Sequence, residues 1–207
     1  MLTTRTVSQF LDETASNSAT PGGGSVSALT AALGASLTSM VCRLTIGKKK
    51  YTDVQAEMEE ILTESEELRK RATAIIDEDT AAFDRVMAAF ALPKETDEQK
   101  TRRTEAVQAA TKQATLVPLR LMELTAGAIP LVKAVAAKGN RNSLSDAGVA
   151  ALMLSAACEG AALNVRINLG GLTDRGFVSE TRASVERLLG LVRDGVAAVL
   201  AGVNQQL

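Results

Sequence analysis

The sequence predicts an all-α protein, a bundle of long antiparallel helices in a single domain covering residues 1–207. Aromatic residues are only 2% of the chain and Trp is absent, so the core must be built from small and aliphatic side chains, which suits close helix packing. Apolar residues recur at helical spacing through long segments, and no alternating, strand-like run of useful length appears. Glycine and proline stand between these segments, where they end helices.

In the N-terminal half, the periodic segments and their terminators predict three helices. The first covers Val7–Thr14 and precedes a polar break, "SNSATPGGG". The second runs from Ser25, as its N-cap, to about Ile46, with Gly47 at the C′ position. The third runs from about Asp53 to Phe90, where "ALPKETD" ends it.

The C-terminal half contains four further predicted segments, separated by proline, "GNRNS" and "GGLTD". They are a helix from about Asp97 past a kink at Pro118, a shorter segment from Pro130 to Lys138, a helix over Asp146–Leu169 capped by Ser143 or Ser145, and a helix over Arg175–Val203.

Composition excludes several classes of function. The net charge of −1 does not indicate the excess of positive charge that is typical of proteins that bind nucleic acid or an anionic membrane. The absence of histidine removes His-based triads, His general bases and most zinc sites, and we expect no metal. Cys42 and Cys158 lie in apolar helical patterns. We therefore expect two buried free thiols of a protein in a reducing compartment. With no secretory signal at the N-terminus, we expect a cytoplasmic protein.

One segment is long enough to be a transmembrane candidate. Residues from Ser25 to Cys42 carry no charge, which reaches the length of a membrane span. The segment is rich in Ser, Thr, Gly and Ala and lacks flanking aromatic belts, so we favour the centre of a soluble bundle.

Asp79 breaks the apolar stripe that runs from Ile61 to Phe90 on the third helix, whereas Asp77 and Asp84 fall on the opposite, solvated face. A carboxylate in an apolar seam is costly unless it is paired or hydrogen-bonded. Two interpretations stay open. Asp79 forms a structural ion pair with an Arg or Lys of another helix, or it lines a cavity with a shifted pKa suited to acid–base chemistry or to holding a cation.

Both ends of the second helix carry further candidates. At its start, "PGGGS" exposes the backbone amides of Gly22, Gly23, Gly24 and Ser25, which can receive an anionic or carbonyl group, although a glycine run is usually only a turn. The motif lacks the Lys-Ser/Thr pair of a phosphate-binding P-loop. At its end, Lys48–Lys50 favour the helix C-terminus electrostatically and can also hold carboxylates of a ligand.

The segment "GNRNSLSDAGVAAL" contains a third group of candidates. Asn140, Asn142 and Asp146 suit a turn and a helix start, or alternatively a cluster that contacts a polar heterocycle. Asn164 and Asn168 lie one turn apart on a face shared with Asp146. However, Asp146 and Asn164 are 18 residues apart, about 27 Å along a helix, so both can serve one site only if the ligand is long or the site is shared between subunits.

Four ordered motifs resemble the cyclodeaminase/cyclohydrolase family of folate enzymes: "PGGGSVSALTAALGASLTSMV", "RLTIGKKKY", "DEDTAAFDRVM" and "GNRNSLSDAGVAAL…ALNVRINL". The resemblance covers nearly the whole chain, from Val7 to about Asp174. It implies an all-helical homodimer in the cytoplasm that acts on tetrahydrofolate derivatives, possibly polyglutamylated, with no cofactor beyond that substrate.

Two activities are implied by this resemblance. A cyclohydrolase opens the methenyltetrahydrofolate ring with water to give the formyl derivative, and a cyclodeaminase closes formimino-tetrahydrofolate and releases ammonia. "TIGKKKY" and the helical unit without a formiminotransferase domain look more like the cyclohydrolase, which we therefore expect first. A non-catalytic folate-binding helical dimer stays a further alternative.

The resemblance also implies roles for the candidate residues. Both reactions pass through a tetrahedral carbon between two folate nitrogens, and a carboxylate can stabilise the amidinium cation or accept a proton. We expect Asp79 and Asp146 in that role and Lys48 as a proton donor or a contact for the glutamate tail. The residues expected to bind substrate are Gly22, Gly23, Gly24, Ser25, Lys49, Asn140, Asn142 and Asn164.

Overall fold

A computed structural model describes all 207 residues and contains helices without a strand, which confirms the all-α prediction. The six α-helices are α1 (Val7–Thr14), α2 (Gly23–Thr45), α3 (Gln55–Phe90), α4 (Asp97–Lys138), α5 (Leu144–Leu169) and α6 (Arg175–Asn204). Short 3₁₀ turns cover Leu2–Thr4, Lys49–Val54 and Arg141–Ser143.

Helices α2 and α5 run antiparallel and approach closely because small residues line their contact. A Cβ on Gly34 would lie 3.2 Å from the carbonyl oxygen of Ala150 and from Cγ of Leu154. A Cβ on Gly160 would collide with the hydroxyl of Ser27. The Ala, Gly and Ser content of these two helices therefore sets the distance between their backbones.

The helix ends are formed by capping residues and by Gly47, which the sequence predicted at the C′ position. α1 and α4 begin with capping boxes formed by Thr6 and by Thr96, each with the Gln three residues later. Gly47, just after α2, has a positive φ of 79°, as a C′ glycine commonly does. Asp174 caps α6 by accepting a hydrogen bond from the backbone N–H of Phe177.

Three predicted helix starts are wrong by about two residues. α2 begins at Gly23, so Ser25 lies inside its first turn and is not the N-cap. α3 begins at Gln55, because the preceding residues form a 3₁₀ turn. α5 begins at Leu144, and its N-cap, Ser143, makes no side-chain capping bond.

α4 continues without a break through Pro118 and Pro130, so the separate segment predicted from Pro130 is wrong. A proline removes the N–H that would bond the carbonyl four residues earlier, which for Pro118 is the carbonyl of Ala114. The side-chain amide of Asn168 donates to that carbonyl at 3.2 Å. Tertiary contact thus compensates the bond that Pro118 cannot make.

The sequence pattern places Asp77 on a solvated face, but in the structure this residue fixes the N-terminal segment. Its carboxylate accepts hydrogen bonds from the backbone N–H of Leu2 at 2.5 Å and from the hydroxyl of Thr3 at 2.8 Å. The N-terminal turn is therefore attached to the middle of α3. Asp84, one helical turn beyond Thr80, is exposed as predicted.

By length and composition alone, three helices are apolar enough to cross a membrane: α2, part of α4, and the stretch Arg141–Leu169 that includes α5. Half or more of each apolar window is buried against the rest of the chain.

Candidate active site

A cleft of about 310 Å³ lies where the N-terminus of α2 meets the middle of α3 and the C-terminal half of α5. Its polar lining comes from the glycines Gly22–Gly24, from Asp79, and from Asn164 and Asn168. Phe83 and Val86, one and two turns after Asp79, form an apolar wall. The apolar stripe of α3 thus opens at Asp79 into a cavity, and Phe83 and Phe90 remain partly exposed.

Asp79 lies directly against the backbone at the start of α2. A Cβ on Gly24 would be 2.7 Å from Oδ2 of Asp79 and still closer to Oδ1, so no larger residue fits there without moving the carboxylate. The glycine run is therefore needed for close approach of two helices, and not only for a turn.

The hydroxyl of Ser25 connects Asp79 to the backbone of α3. It lies 2.9 Å from the carbonyl oxygen of Ile76, 3.0 Å from Oδ2 of Asp79 and 3.3 Å from the hydroxyl of Thr80. Ser25 is fully buried. Its side chain therefore positions Asp79, and direct contact of Ser25 with substrate stays a prediction.

Burial raises the pKa of Asp79, and hydrogen bonds from the hydroxyl and backbone N–H of Ser25 only partly oppose that effect. No Lys or Arg lies within ion-pair distance, so the interpretation of Asp79 as half of a structural ion pair is excluded. The site holds a carboxylate whose proton affinity is increased and whose nearest partners are hydroxyl and amide groups. A carboxyl group with an increased proton affinity is suited to accepting a proton during a reaction.

Two asparagine amides face Asp79 from α5. The Nδ2 group of Asn164 donates to the carbonyl of Gly160 at 2.9 Å, and that of Asn168 donates to the carbonyl of Ala114 at 3.2 Å. Because each amide nitrogen is bonded to backbone, the oxygens of both amides remain as acceptors at the cleft. The predicted site omits Asn168; its spacing from Asn164, together with Pro118 on a neighbouring helix, is the signal that could have found it.

The start of α2 adds hydrogen-bond donors to this acceptor-rich cleft. The first intrahelical bond of α2 runs from the N–H of Val26 to the carbonyl of Gly22 at 3.1 Å. The N–H groups of Gly23 and Gly24 precede it and have no acceptor within the helix. They lie at the positive end of a 23-residue helix dipole, where developing negative charge is stabilised.

The remaining candidates form a second group at the opposite end of α2. The backbone N–H of Arg141 donates to the hydroxyl of Tyr51 at 3.0 Å, which joins the "GKKKY" and "GNRNS" segments. Lys48 and Lys49 are exposed and form no ion pair. This second group is called the distal cluster below and consists of Lys48, Lys49, Asn140, Asn142 and Asp146.

Within the distal cluster, the side chain of Asn140 is hydrogen-bonded to the backbone and has a structural role. Its amide donates to the carbonyl of Leu44 at 3.0 Å and accepts from the backbone N–H of Asn142 at 3.2 Å, and the residue is buried. This arrangement closes the C-terminus of α2, so the expectation that Asn140 contacts a ligand heterocycle is not supported. Asn142 is exposed, and Asp146 is half-buried without an ion pair.

The structure thus divides the predicted site into two parts. Gly22–Gly24, Ser25, Asp79 and Asn164 come together at the cleft, and the distal cluster lies a full helix length away. The 23 residues of α2 span about 34 Å at 1.5 Å per residue, which exceeds the reach of any side chain. Among the side chains of the whole chain, no group of three or more Cys, Asp or Glu could hold a metal ion.

Comparison with known proteins gives three concordant results. The family model described as formiminotransferase-cyclodeaminase matches residues 6–187. A methenyltetrahydrofolate cyclohydrolase from Methylorubrum extorquens is 50% identical over 184 residues, which are 89% of this chain and 88% of that protein. A formimidoyltransferase-cyclodeaminase from Rattus norvegicus is 38% identical over 195 residues, which cover 94% of this chain but only 36% of the longer protein.

A solved structure extends the comparison to the fold. The crystal structure of formiminotetrahydrofolate cyclodeaminase from Thermotoga maritima superposes with a TM-score of 0.89 at 28% sequence identity. The match covers 99% of this chain and 98% of that one.

Proposed function

The chain belongs to the formiminotransferase-cyclodeaminase family, and we propose from this premise that it hydrolyses methenyltetrahydrofolate to formyltetrahydrofolate. The observation that carries the proposal is the half-buried carboxylate of Asp79, which has no ion-pair partner and lies at a cleft that also offers amide acceptors and free backbone N–H groups. The 50% identity to a cyclohydrolase, over most of both chains, favours this activity within the family.

The cleft suits the reacting end of such a substrate. Its volume of about 310 Å³ is at the lower end of the range for small-molecule sites, so it receives the fused rings while a benzoyl-glutamate tail extends outward. The amide oxygens of Asn164 and Asn168 accept hydrogen bonds from the N–H groups of a pterin ring. Phe83 and Val86 supply an apolar surface for the ring face.

Asp79 is the general base in this proposal. Water adds to the amidinium carbon and transfers a proton to the Asp79 carboxylate, which the raised pKa makes a stronger base. The hydroxyl on that carbon then loses its proton as the C=O bond of the formyl group forms and the bond to one ring nitrogen breaks, and that nitrogen takes the proton held by Asp79. The net reaction consumes one water molecule and releases one proton.

The start of α2 stabilises the intermediate. The oxygen on the former amidinium carbon develops negative charge as its hydroxyl loses a proton and the intermediate collapses. The N–H groups of Gly23 and Gly24 point toward such an oxygen with the positive end of the helix dipole behind them. Before water adds, the carboxylate of Asp79 offsets the positive charge of the substrate.

Cyclodeamination of formimino-tetrahydrofolate is the second candidate, because relatives with that name match nearly the whole chain. The same groups serve it: Asp79 accepts a proton from the attacking folate nitrogen and passes it to the amino group on the formimino carbon, which leaves as ammonia. Loss of catalysis with retained folate binding is the third candidate.

Two assays on the purified protein separate these candidates. One follows decay of the methenyltetrahydrofolate chromophore and the other follows ammonia release from formimino-tetrahydrofolate, each against its uncatalysed background. Accelerated decay without ammonia release is expected. Ammonia release alone would make the protein a cyclodeaminase, and folate binding without either reaction would make it a non-catalytic binder.

The proposal includes a homodimer in the cytoplasm that uses tetrahydrofolate derivatives, with or without polyglutamate tails, and no further cofactor. The relatives named as folate enzymes support tetrahydrofolate derivatives as its ligands. Fractionation of the producing cells tests the location: recovery in the membrane fraction would contradict it.

A further inference from the structure

Thr80 is the one threonine of α3 whose hydroxyl does not bond to its own helix. The other two, Thr63 and Thr73, donate to the carbonyl four residues earlier, at 3.0 Å and 2.7 Å. That bond is usual for a threonine inside a helix. The hydroxyl of Thr80 instead lies 3.3 Å from the hydroxyl of Ser25, across the contact with α2. The side chain of Thr80 therefore belongs to the hydrogen bonds around Asp79.

Ser25 occupies the acceptor that Thr80 would otherwise use. The carbonyl of Ile76, four residues before Thr80, accepts from the Ser25 hydroxyl at 2.9 Å. It also accepts from the backbone N–H of Thr80, because residues four apart are bonded in this way inside an α-helix. A carbonyl oxygen has two lone pairs, and both are then used. The Thr80 hydroxyl is left to bond with the oxygen of Ser25.

The Ser25 hydroxyl has two acceptors for its one proton. Besides the Ile76 carbonyl at 2.9 Å, it lies 3.0 Å from Oδ2 of Asp79. The hydrogen of a hydroxyl rotates toward the acceptor that suits it. An ionised carboxylate is a stronger acceptor than a peptide carbonyl that already receives a helical bond, whereas a protonated carboxyl is a weaker one. The direction of the Ser25 O–H bond therefore depends on the charge of Asp79.

The bond between the two hydroxyls has the same direction in both cases. The proton of Ser25 goes to Asp79 or to Ile76, so the oxygen of Ser25 is the acceptor and Thr80 is the donor. Donation from Thr80 polarises the Ser25 O–H bond and strengthens the next hydrogen bond in the chain. This gain is largest when the next acceptor is charged. Thr80 therefore favours the ionised form of Asp79.

We propose that Thr80 is a positioning residue of the reaction, because it holds the Ser25 hydroxyl where that hydroxyl can serve both charge states of Asp79. While Asp79 is the ionised base, Ser25 donates to it. When Asp79 has taken the proton from water, the hydrogen of Ser25 turns to the carbonyl of Ile76. Ser25 keeps its proton throughout, and no heavy atom moves between the two states. This role rests on the proposed function, in which Asp79 accepts and returns a proton.

No other titratable group lines the cleft that Asp79 faces. The neighbouring elements contribute glycines, amides and uncharged side chains: Ala19, Thr20 and Gly22–Gly24 at the start of α2, Ala114 from α4, and Asn164, Ile167 and Asn168 from α5. On its other side, Thr80 borders a shallow groove with four charged groups, the N-terminus at Met1, Arg5, Asp77 and Asp84. None of them is hydrogen-bonded to the Thr80 hydroxyl. An effect of this hydroxyl on Asp79 therefore passes through Ser25.

Carbon-13 NMR of protein labelled at aspartate tests the inference by following the titration of the Asp79 carboxyl. The signal of Asp79 is the one that is missing from the Asp79→Asn variant. Thr80→Val removes the hydroxyl and keeps the shape, so the midpoint of this titration should move to higher pH. Ser25→Ala removes the donor itself and should move the midpoint further in the same direction. Thr80→Ser keeps a hydroxyl and should restore the wild-type midpoint.

The pH profile of kcat reports the same change during turnover. On its acid side, where kcat is proportional to the ionised fraction of Asp79, Ser25→Ala should lower kcat by roughly tenfold, because a hydrogen bond to a charged group is lost. Thr80→Val should lower it by roughly threefold there, because that bond is weakened and not removed. At high pH, where Asp79 is fully ionised, Thr80→Val should turn over at close to the wild-type rate.

Thr73→Val is the matched control. Thr73 is a half-buried threonine of the same helix, and its hydroxyl bonds to its own backbone. The substitution should change neither the titration midpoint of Asp79 nor the pH profile of kcat. Circular dichroism and urea unfolding check that each variant is folded.

Three results would overturn the role of Thr80. The first is the same Asp79 midpoint in wild type and in Thr80→Val, and the second is a kcat of Thr80→Val that is lowered equally at all pH values. The third is an equal shift in Thr80→Val and Thr80→Ser, since the hydroxyl would then be unimportant. The NMR titration needs no turnover. An inactive wild type would therefore overturn the proposed function, and the titrations would still decide whether Thr80 acts on Asp79.

Discussion

The carboxylate of Asp79 occupies the space that a side chain on Gly24 would fill. This relationship joins the glycine run and the carboxylate, two features that lie 55 residues apart in the chain, into one site. It also explains why the start of α2 has no side-chain cap of its own, since the carboxylate lies against its first turn.

Replacing Gly24 with Ala should displace Asp79 and lower kcat/KM by roughly a hundredfold, because small misplacements of a catalytic group are costly. Overpacking should also cost about 1–3 kcal/mol of unfolding free energy. Gly190→Ala is the matched control, because a Cβ there meets nothing within 4 Å in α6, and it should raise stability slightly. Full activity of the Gly24→Ala variant would show that the position of the carboxylate is unimportant.

The pH dependence of stability should reveal the raised pKa of Asp79. The folded carboxyl keeps its proton at pH values where the unfolded carboxyl, with its ordinary pKa of 3.8, has lost it. The folded state then binds more protons, so the unfolding free energy of wild type relative to Asp79→Asn falls as pH rises through the folded pKa. Urea denaturation from acid to neutral pH measures this difference, and a difference that grows with pH would contradict the burial effect.

Activity should rise over the same pH range in which the carboxyl of Asp79 ionises, because the general base needs its unprotonated form. A pH profile of kcat measures this rise. A kcat that falls with pH there would indicate that Asp79 acts as an acid.

The contribution of Glu66 to stability should depend on pH in the opposite way from that of Asp79, because it is lost in acid. A hydrogen bond from Arg69 and contacts with Ser39 and Arg43 lower its pKa from 4.5 to about 2. This stability is present above pH 4.5 and is lost as pH falls toward 2. Because the group is accessible to solvent, Glu66→Gln should cost less than about 1 kcal/mol at neutral pH and nothing in strong acid. Glu64→Gln, at an exposed position without an ion pair, is the control. It should leave the unfolding free energy measured in urea unchanged both at neutral pH and in strong acid.

Asn168 and Pro118 should be coupled through the carbonyl of Ala114. Asn168→Ala removes the hydrogen bond to that carbonyl and should destabilise the fold by about 1–3 kcal/mol. In the Pro118→Ala variant, the backbone N–H of residue 118 can donate to the carbonyl of Ala114. Asn168→Ala should therefore lower the unfolding free energy by less in that variant than in wild type. A double-mutant cycle by urea unfolding measures the coupling, and strictly additive losses would refute it.

Much of the fold follows from sequence because it depends on local signals. The helix α1 and the starts of α4 and α6 agree with their predictions, since local capping side chains define them: capping boxes at α1 and α4, and Asp174 at α6. The errors come from long-range contacts. Nothing local to Pro118 or Pro130 shows that α4 continues through both, and Ser25 resembles an N-cap only until Asp79 is placed against the same turn.

The candidate site was predictable to a similar degree. A carboxylate in an apolar stripe identified Asp79, and the glycine run identified the opposite wall of the cleft. The 18-residue spacing of Asp146 and Asn164 on one helix already separates those two residues, but periodicity does not show how far Lys48 and Asn140 lie from the cleft. Asn140 closes the end of α2 in the structure, and its contact with a ligand stays a prediction, because an amide that closes a helix and an amide that binds a ligand have the same local sequence.

The most direct test of the account is the turnover of methenyltetrahydrofolate by the Asp79→Asn variant. Asparagine keeps the shape of the side chain but cannot accept a proton, so kcat should fall by roughly a hundredfold or more while the helical circular dichroism spectrum is unchanged. Asp84→Asn, at an exposed position of the same helix, should retain wild-type turnover. Undiminished turnover by Asp79→Asn would contradict the central claim that this carboxylate carries the chemistry.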